Sequence, residues 1–263
     1  MDLIQAVILG IIEGGTEFLP VSSTGHMILA SAVMDIQDVD YVKTFEVSIQ
    51  IGAILSVLTL YYKRFLVSFE IYLKLLIAFL PTGTIGFIAY STIKEYLFNA
   101  WVVSVALVLG GVLLIMLDRW SEREETAYAT TEKISYRGCL QIGLFQSVSM
   151  IPGVSRAAAT IFGGVFSGFT RKQAAEFSFL LAIPTMAVAT GYDLFKTSKA
   201  FSGNEWTLLA VGAAVAFVFA LLAVKAFIAY LTRHGFKLFG YYRIALGIVF
   251  LTYALATGLE LPE

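Results

Sequence analysis

Apolar residues run in long blocks along this chain. A helix needs about 20 mostly apolar residues to cross a hydrocarbon core of about 30 Å. Six blocks meet that need, at residues 45–62, 71–90, 100–117, 174–195, 206–231 and 242–258. Two further apolar regions, 3–32 and 138–169, are each cut by a proline and a cluster of small polar residues, at Pro20 and at Pro152-Gly153. Their arms hold roughly 12 to 17 residues, or ~18 to 25 Å as helix, too short to cross but long enough to reach mid-membrane. Each region reads as a re-entrant hairpin, which is tolerated at that depth only where the freed backbone is buried in protein or lines a polar cavity.

The two interrupted regions resemble each other. Gly10-Ile11-Ile12-Glu13 before the first break matches Gly143-Leu144-Phe145-Gln146 before the second, and Phe45-Glu46-Val47-Ser48 matches Ala175-Glu176-Phe177-Ser178 further on. The pattern predicts an all-α polytopic membrane protein built as an inverted-topology repeat, each half one re-entrant helical hairpin plus three transmembrane helices. The first repeat is 1–117, a cytoplasmic linker is 118–137, and the second repeat is 138–263. Such repeats point to a site between the halves.

Composition agrees: 58% of the 263 residues are hydrophobic and 14% charged, with a mean hydropathy of +0.81, far from a soluble domain. A net charge of -1 gives no basic face for nucleic acid. The lone Cys139 excludes an internal disulfide. The N-terminus lacks a basic n-region and reads as mature protein. If the six spans alternate, most cations, from Lys63 and Arg64 to Lys237 and Arg243, fall on one side, and only Lys43, Lys94, Lys196 and Lys199 on the other. The first side is then cytoplasmic, and the two hairpins enter from opposite sides.

The breaks hold the chemistry. Glu13 and Glu17, four apart, share one helix face with β-carbons about 5 to 6 Å apart. Two carboxylates this close in a low dielectric call for a divalent metal, a shared proton or a nearby arginine. After Pro20 the run Ser22-Ser23-Thr24-Gly25-His26 supplies hydroxyls and a histidine. Capping explains one or two of the hydroxyls. His26 can accept a proton from Ser23 or Ser22, or itself attack phosphorus. In the second break Gly153 ends the incoming arm, Ser155 suits an N-cap, and the helix N-terminus with Arg156 makes an anion site suited to phosphate oxygens. Brought together, the breaks suit a diphosphate, with Glu13 and Glu17 available to a cation and Arg156 to the charge on the transferred phosphoryl group.

At these residues, EGGTEFLPVSSTGHM and PGVSRAAAT resemble the two signature motifs of the bacterial undecaprenyl-diphosphate phosphatase family, the bacitracin-resistance proteins. The likeness extends over essentially the whole chain, including TFEVSIQIGAIL and EFSFLLAIP. It implies a multi-pass bacterial inner-membrane enzyme that removes the terminal phosphate of C55-isoprenyl diphosphate. The product is the monophosphate carrier lipid used in peptidoglycan synthesis. It also implies a divalent cation, Mg²⁺ or Ca²⁺, and a site open toward the periplasm. By the same likeness Glu13 and Glu17 are the acidic pair, His26 the histidine, Ser23 the proposed nucleophile and Arg156 the arginine. Ser155 and Thr160 are the remaining polar positions of the second motif, and Ser22, Thr24 and Gly153 join the expected substrate-binding set. One departure stands out: Ala157 replaces a second serine after the arginine.

The main alternative is a secondary transporter or lipid flippase, since broken helices meeting mid-membrane are also a transporter architecture. A nucleophile beside an acid pair favours the enzyme, because a carrier needs none. An intramembrane protease is disfavoured, as no Gly-x-Ser-x-Gly elbow or HExxH helix is present and His234 lies in a polar loop. Whether Ser23 or His26 attacks, and whether Glu17 binds metal or moves a proton, stays open. So does a homodimer.

Overall fold

Small residues let these helices pack backbone to backbone, and that packing is reciprocal between the halves. In a computed structural model, which describes residues 1–67, 69–97, 99–121, 130–197 and 201–258, eleven α-helices and no strands form among the described residues. The side chains of 40, 67, 90–95, 132, 196 and 197 lie outside that description.

The first half comprises α1 (Leu3–Thr16), α2 (Ser23–Val33), α3 (Asp40–Ser48), α4 (Gln50–Val67), α5 (Glu70–Leu97) and α6 (Ala100–Ser121). The second comprises α7 (Tyr136–Ser147), α8 (Arg156–Phe166), α9 (Arg171–Thr197), α10 (Gly203–Leu231) and α11 (Lys237–Thr257). Among the described residues six stretches are long and apolar enough to cross a membrane, and they fall on α3–α4 together, α5, α6, α9, α10 and α11. The four arms of the broken regions have 14, 11, 12 and 11 residues, below a crossing length as expected.

The spanning helices differ from the blocks read in the sequence mainly at their ends. Polar residues continue a helix beyond the apolar core, so α11 begins at Lys237 rather than at 242 and α9 at Arg171 rather than at 174. The first span is not continuous. It bends at Ile49 (ψ -14°), where the Gly52 N–H bonds the Ile49 carbonyl in a tighter 3₁₀ step.

Helix α1 packs on α10, and α7 packs on α5, while α6 pairs with α11 and α4 with α9. The first arm of each hairpin thus lies on the second span of the other half. The same glycine makes both contacts possible. A Cβ on Gly10 would stand 2.7 Å from the Gly212 carbonyl oxygen, and one on Gly143 2.2 Å from that of Ala78. No side chain fits at such a distance.

The expected linker is partly structured. Residues 118–121 finish α6, and Asp118 is buried rather than solvated. Its carboxylate accepts the Phe236 N–H at 2.8 Å and pairs with Arg171 at 2.9 Å, latching α6 to the starts of α9 and α11. Residues 122–129 of that linker, Arg123 among them, together with Lys199, residues 259–263 and the side chains of Lys94 and Lys196, lie outside the described residues.

Candidate active site

Two chain breaks, each closed by a serine of positive φ that caps the next helix, build this site. Helix α1 ends with Glu13 in its last turn and Glu17 as C-cap, its N–H bonded to the Glu13 carbonyl. Pro20 has no N–H to continue the ladder, and α2 restarts after Ser22. Ser22 (φ 70°, ψ 90°) caps α2 by accepting the Gly25 N–H at 3.4 Å. Across the site Ser155 (φ 73°, ψ 120°) caps α8 by accepting the Ala158 N–H at 3.2 Å. A positive φ costs a serine on the order of 1–3 kcal/mol and persists only where the surroundings over-determine it. Each strained serine precedes the first residue of a helix, and those two residues are Ser23 and Arg156.

The first turns bring the chemistry together on Glu17. Ser23 Oγ donates to Glu17 Oε2 at 2.5 Å, and Arg156 Nη2 donates to Glu17 Oε1 at 2.7 Å. Arg156 is further fixed by Nη1 on the Ser178 carbonyl at 3.1 Å and by the Phe18 ring, 5.5 Å below its Cζ. Phe18 is fully buried against Phe179, which anchors the start of the first break in the core. Glu13 (1% exposed) and Glu17 (8%) lie inside the protein.

Two buried atoms in this cluster have no partner: Glu13 Oε1, which can only accept from a donor or bind a cation when ionised, and the Nε–H of Arg156, which can only donate. Buried polar atoms are normally paired, and an exception points to a missing ligand. A cation suits the first atom and an anion the second. Among the described residues no three His, Cys, Asp or Glu side chains gather closely enough to hold a metal by themselves. Glu13 Oε1 is open to an ion of the Mg²⁺ type, whereas both Glu17 oxygens already accept, from Ser23 and Arg156, so Glu17 can join such an ion only once Arg156 releases it. Such ions bind through one or two carboxylates and take their other ligands from water and substrate phosphate.

His26 takes a different place from the one expected. Its Nδ1 lies 2.7 Å from the Ser22 carbonyl oxygen and its Nε2 2.7 Å from the Tyr242 hydroxyl. A carbonyl only accepts, so the proton is on Nδ1 and Nε2 accepts from tyrosine. Neither nitrogen reaches Ser23, whose proton points to Glu17 instead. The cause is local. Four residues after Ser22 on α2, the ring folds back onto that residue's carbonyl.

The remaining expected positions separate. Gly153 (φ 91°) sits in the second break, where a Cβ would stand 2.6 Å from the Val103 carbonyl oxygen. Thr160 is buried and turned away, its hydroxyl bonded to the Arg156 carbonyl at 2.9 Å and to Ser178 Oγ at 2.6 Å, so it ties α8 to α9. Thr24 is exposed. Ala157 is fully buried in packing.

Two neighbours of the site carry no motif in the sequence. By position alone Tyr242 is the first residue of a span and Arg243 stands among the cytoplasmic cations. Arg243 is fully buried, about 9 Å into α11 at 1.5 Å per residue from Lys237. Its guanidinium bonds both breaks: Nη1 to the Pro20 carbonyl at 3.2 Å and that of Val154 at 2.8 Å, and Nη2 to that of Gly153 at 2.8 Å. The available signal was a charge inside an apolar helix, hidden by placing the start of that helix five residues late.

The family model described as "Bacitracin resistance protein BacA" matches residues 6–249. The undecaprenyl-diphosphatase of Wolinella succinogenes is 51% identical over 253 residues, covering 96% of this chain and 98% of its own length. That of Bdellovibrio bacteriovorus is 51% identical over 251 residues, with 95% of each chain covered. That of Aquifex aeolicus is 48% identical over 252 residues, covering 95% of this chain and 98% of its own.

Proposed function

This chain belongs to the bacitracin resistance protein BacA family, and from that premise we propose that it hydrolyses undecaprenyl diphosphate to undecaprenyl phosphate and inorganic phosphate where its two breaks meet. The observation that carries this reading is the orphan pair, a buried carboxylate oxygen on Glu13 and a buried N–H on Arg156. A diphosphate with its counter-ion satisfies both.

Ser23 is the nucleophile and Glu17 its base, the proton passing along the 2.5 Å hydrogen bond. Before substrate binds, Glu17 accepts from both Ser23 and Arg156. When the Arg156 donors turn to phosphate oxygens, Glu17 keeps its hydrogen bond to Ser23. The serine oxygen bonds the terminal phosphorus as the bond to the bridging oxygen breaks, and undecaprenyl phosphate leaves. Arg156 and the first-turn N–H groups of α8 stabilise the charge on the transferred phosphoryl group. Water then attacks the phosphoserine as the bond from phosphorus to Ser23 Oγ breaks; Glu17 returns its proton to Ser23 Oγ, and the water proton leaves with the inorganic phosphate. Glu13 and Glu17 would hold a divalent cation, Mg²⁺ or Ca²⁺, which when bound supplies neutralisation of the phosphate oxygens. His26, tied to Ser22 and Tyr242, keeps the strained cap of α2 in place.

The setting follows from the same reading. We assign the chain to the bacterial inner membrane with the site opening to the periplasm, a view supported by the excess of Lys and Arg on the side where α4 ends. The inverted repeat is supported by the reciprocal packing of α1 on α10 and α7 on α5. The flippase alternative leaves the Ser23 to Glu17 hydrogen bond without a use.

Phosphate release from undecaprenyl diphosphate by the detergent-purified protein, with Mg²⁺ or Ca²⁺ and then with excess chelator, tests this. Release that the chelator abolishes is the expected result. No release from a folded, monodisperse sample would overturn it and send the question to lipid flux in vesicles.

A further inference from the structure

A break inside a helical membrane protein leaves carbonyl oxygens that no helix satisfies, and burial forbids water from doing so. Arg243 answers that need with three of its five N–H donors and anchors itself on α6 with the other two. Beside the three bonds to Pro20, Gly153 and Val154, Nε reaches the Leu107 carbonyl at 3.4 Å and Nη2 that of Ala106 at 3.1 Å, both on α6. Five donors meet five carbonyls. No carboxylate pairs with Arg243 among the described residues, so the side chain is spent on backbone.

Which carbonyls it holds matters more than how many. Pro20 and Gly153 each precede a strained serine by two residues, as Gly10 and Gly143 occupy matching places on α1 and α7. One guanidinium thus grips equivalent points of the two breaks. The residues immediately downstream are Ser22-Ser23 on one side and Ser155-Arg156 on the other. Among the described residues Arg243 is the one side chain outside the breaks that hydrogen-bonds both. We propose that Arg243 is a positioning residue for the phosphatase reaction, holding the Ser23 half of the site in register with the Arg156 half while touching no reacting group itself. Misplacement by about 1 Å at such a site costs on the order of 100-fold in rate.

The inference rests on the proposed activity for its kinetic arm, so the test carries a second readout that needs no substrate. Arg243→Lys keeps the charge but offers three donors on a point cation in place of a planar fork. Gly110→Ala perturbs the same group from a distance: its Cβ would stand 2.2 Å from Arg243 Nη2 and 2.7 Å from Cζ. Gly247→Ala serves as the packing control on the same pair of helices, its Cβ 2.8 Å from Val108 Cγ2 and clear of the guanidinium. For each full-length protein in detergent, kcat, KM, the unfolding midpoint and amide hydrogen exchange by mass spectrometry are measured.

Arg243→Lys and Gly110→Ala are expected to lose about 100-fold in kcat with KM within about threefold. Their exchange should quicken at both breaks while α9 and α10 stay as in the parent. Gly247→Ala should lower the midpoint with kcat nearly kept. The proposal is overturned if folded Arg243→Lys keeps kcat within threefold and its breaks stay protected. It also falls if all three variants lose kcat in step with their midpoints, or if neither Arg243→Lys nor Gly110→Ala folds, which would make the residue a stability element. Absence of phosphate release from the parent would count against the phosphatase reading alone, and the exchange pattern would still decide Arg243.

Discussion

Arg156→Lys separates the charge of this residue from its shape. The guanidinium does three things at once: Nη2 holds Glu17 at 2.7 Å, Nη1 holds the Ser178 carbonyl at 3.1 Å, and Nε–H stands free and buried. A lysine ammonium has one nitrogen, and beside a buried carboxylate it will settle on Glu17. The ion pair then survives, so the fold is spared the roughly 3–5 kcal/mol that breaking a buried pair costs. What is lost is the bond to the Ser178 carbonyl, which lies within α9, and the free donor available to phosphate. Removing one preorganised donor to a developing anion costs about 2.7–4 kcal/mol, or ~10²–10³ in kcat. The assay is phosphate release from undecaprenyl diphosphate at saturating Mg²⁺, with the unfolding midpoint measured alongside. The expected result is a loss of kcat in that range with the midpoint nearly unchanged. A variant turning over within about threefold of the parent would show that charge alone suffices and that the open Nε–H has no part in the chemistry.

Glu13→Gln should keep the fold and raise the half-saturating Mg²⁺ concentration by about tenfold or more, since a site's hold on a hard cation depends on its carboxylate charge; an unchanged metal titration would remove Glu13 from the cation site. Tyr242→Phe deletes the donor on His26 Nε2, and a hydrogen bond of net ~0.5–1.5 kcal/mol predicts a two- to tenfold fall in kcat; no change would make the tyrosine a bystander. Gly52→Ala would put a Cβ 2.0 Å from the Ala213 carbonyl oxygen and force α4 from α10, lowering the unfolding midpoint by several degrees for a cost of about 1–3 kcal/mol. Its metal titration should not move.

The spans and the two breaks were legible because each is written in local composition: blocks of Leu, Ile, Val, Ala and Phe for the first, a proline with small polar residues for the second. Glu13, Glu17, Ser23 and Arg156 were legible for a related reason, since polar side chains inside apolar arms need a use. Their partners were not. Whether Ser23 turns to His26 or to Glu17 depends on how the chain bends at Ser22, and a positive φ on a serine leaves no mark in the sequence. Thr160 is expected at the substrate by its place in the motif, and its hydroxyl meets Ser178 on another helix, a contact that the motif does not show. Asp118 and Arg243 were misplaced for one shared reason. Each stands near the end of an apolar block, where a charge reads as solvated unless the helix is known to continue past it.

The frame is symmetric where the chemistry is not. Glycines 10 and 143 seat α1 and α7 against backbone, and serines 22 and 155 take the same strained cap, yet the next residue is a nucleophile on one side and a cation on the other. Position 13 shows what the asymmetry requires. Its counterpart Gln146, fully buried, donates to Thr82 Oγ1 at 2.9 Å and accepts from Thr185 at 3.4 Å, so a neutral amide fastens α7 to α5 and α9. Glu13, equally deep, keeps one oxygen without a partner. A side chain kept for stability would have been satisfied as Gln146 is, because leaving a buried acceptor unpaired costs about 1–3 kcal/mol. Of the two matched positions, 13 and 146, only the first bears that cost, and it stands where a cation and a phosphate oxygen would meet.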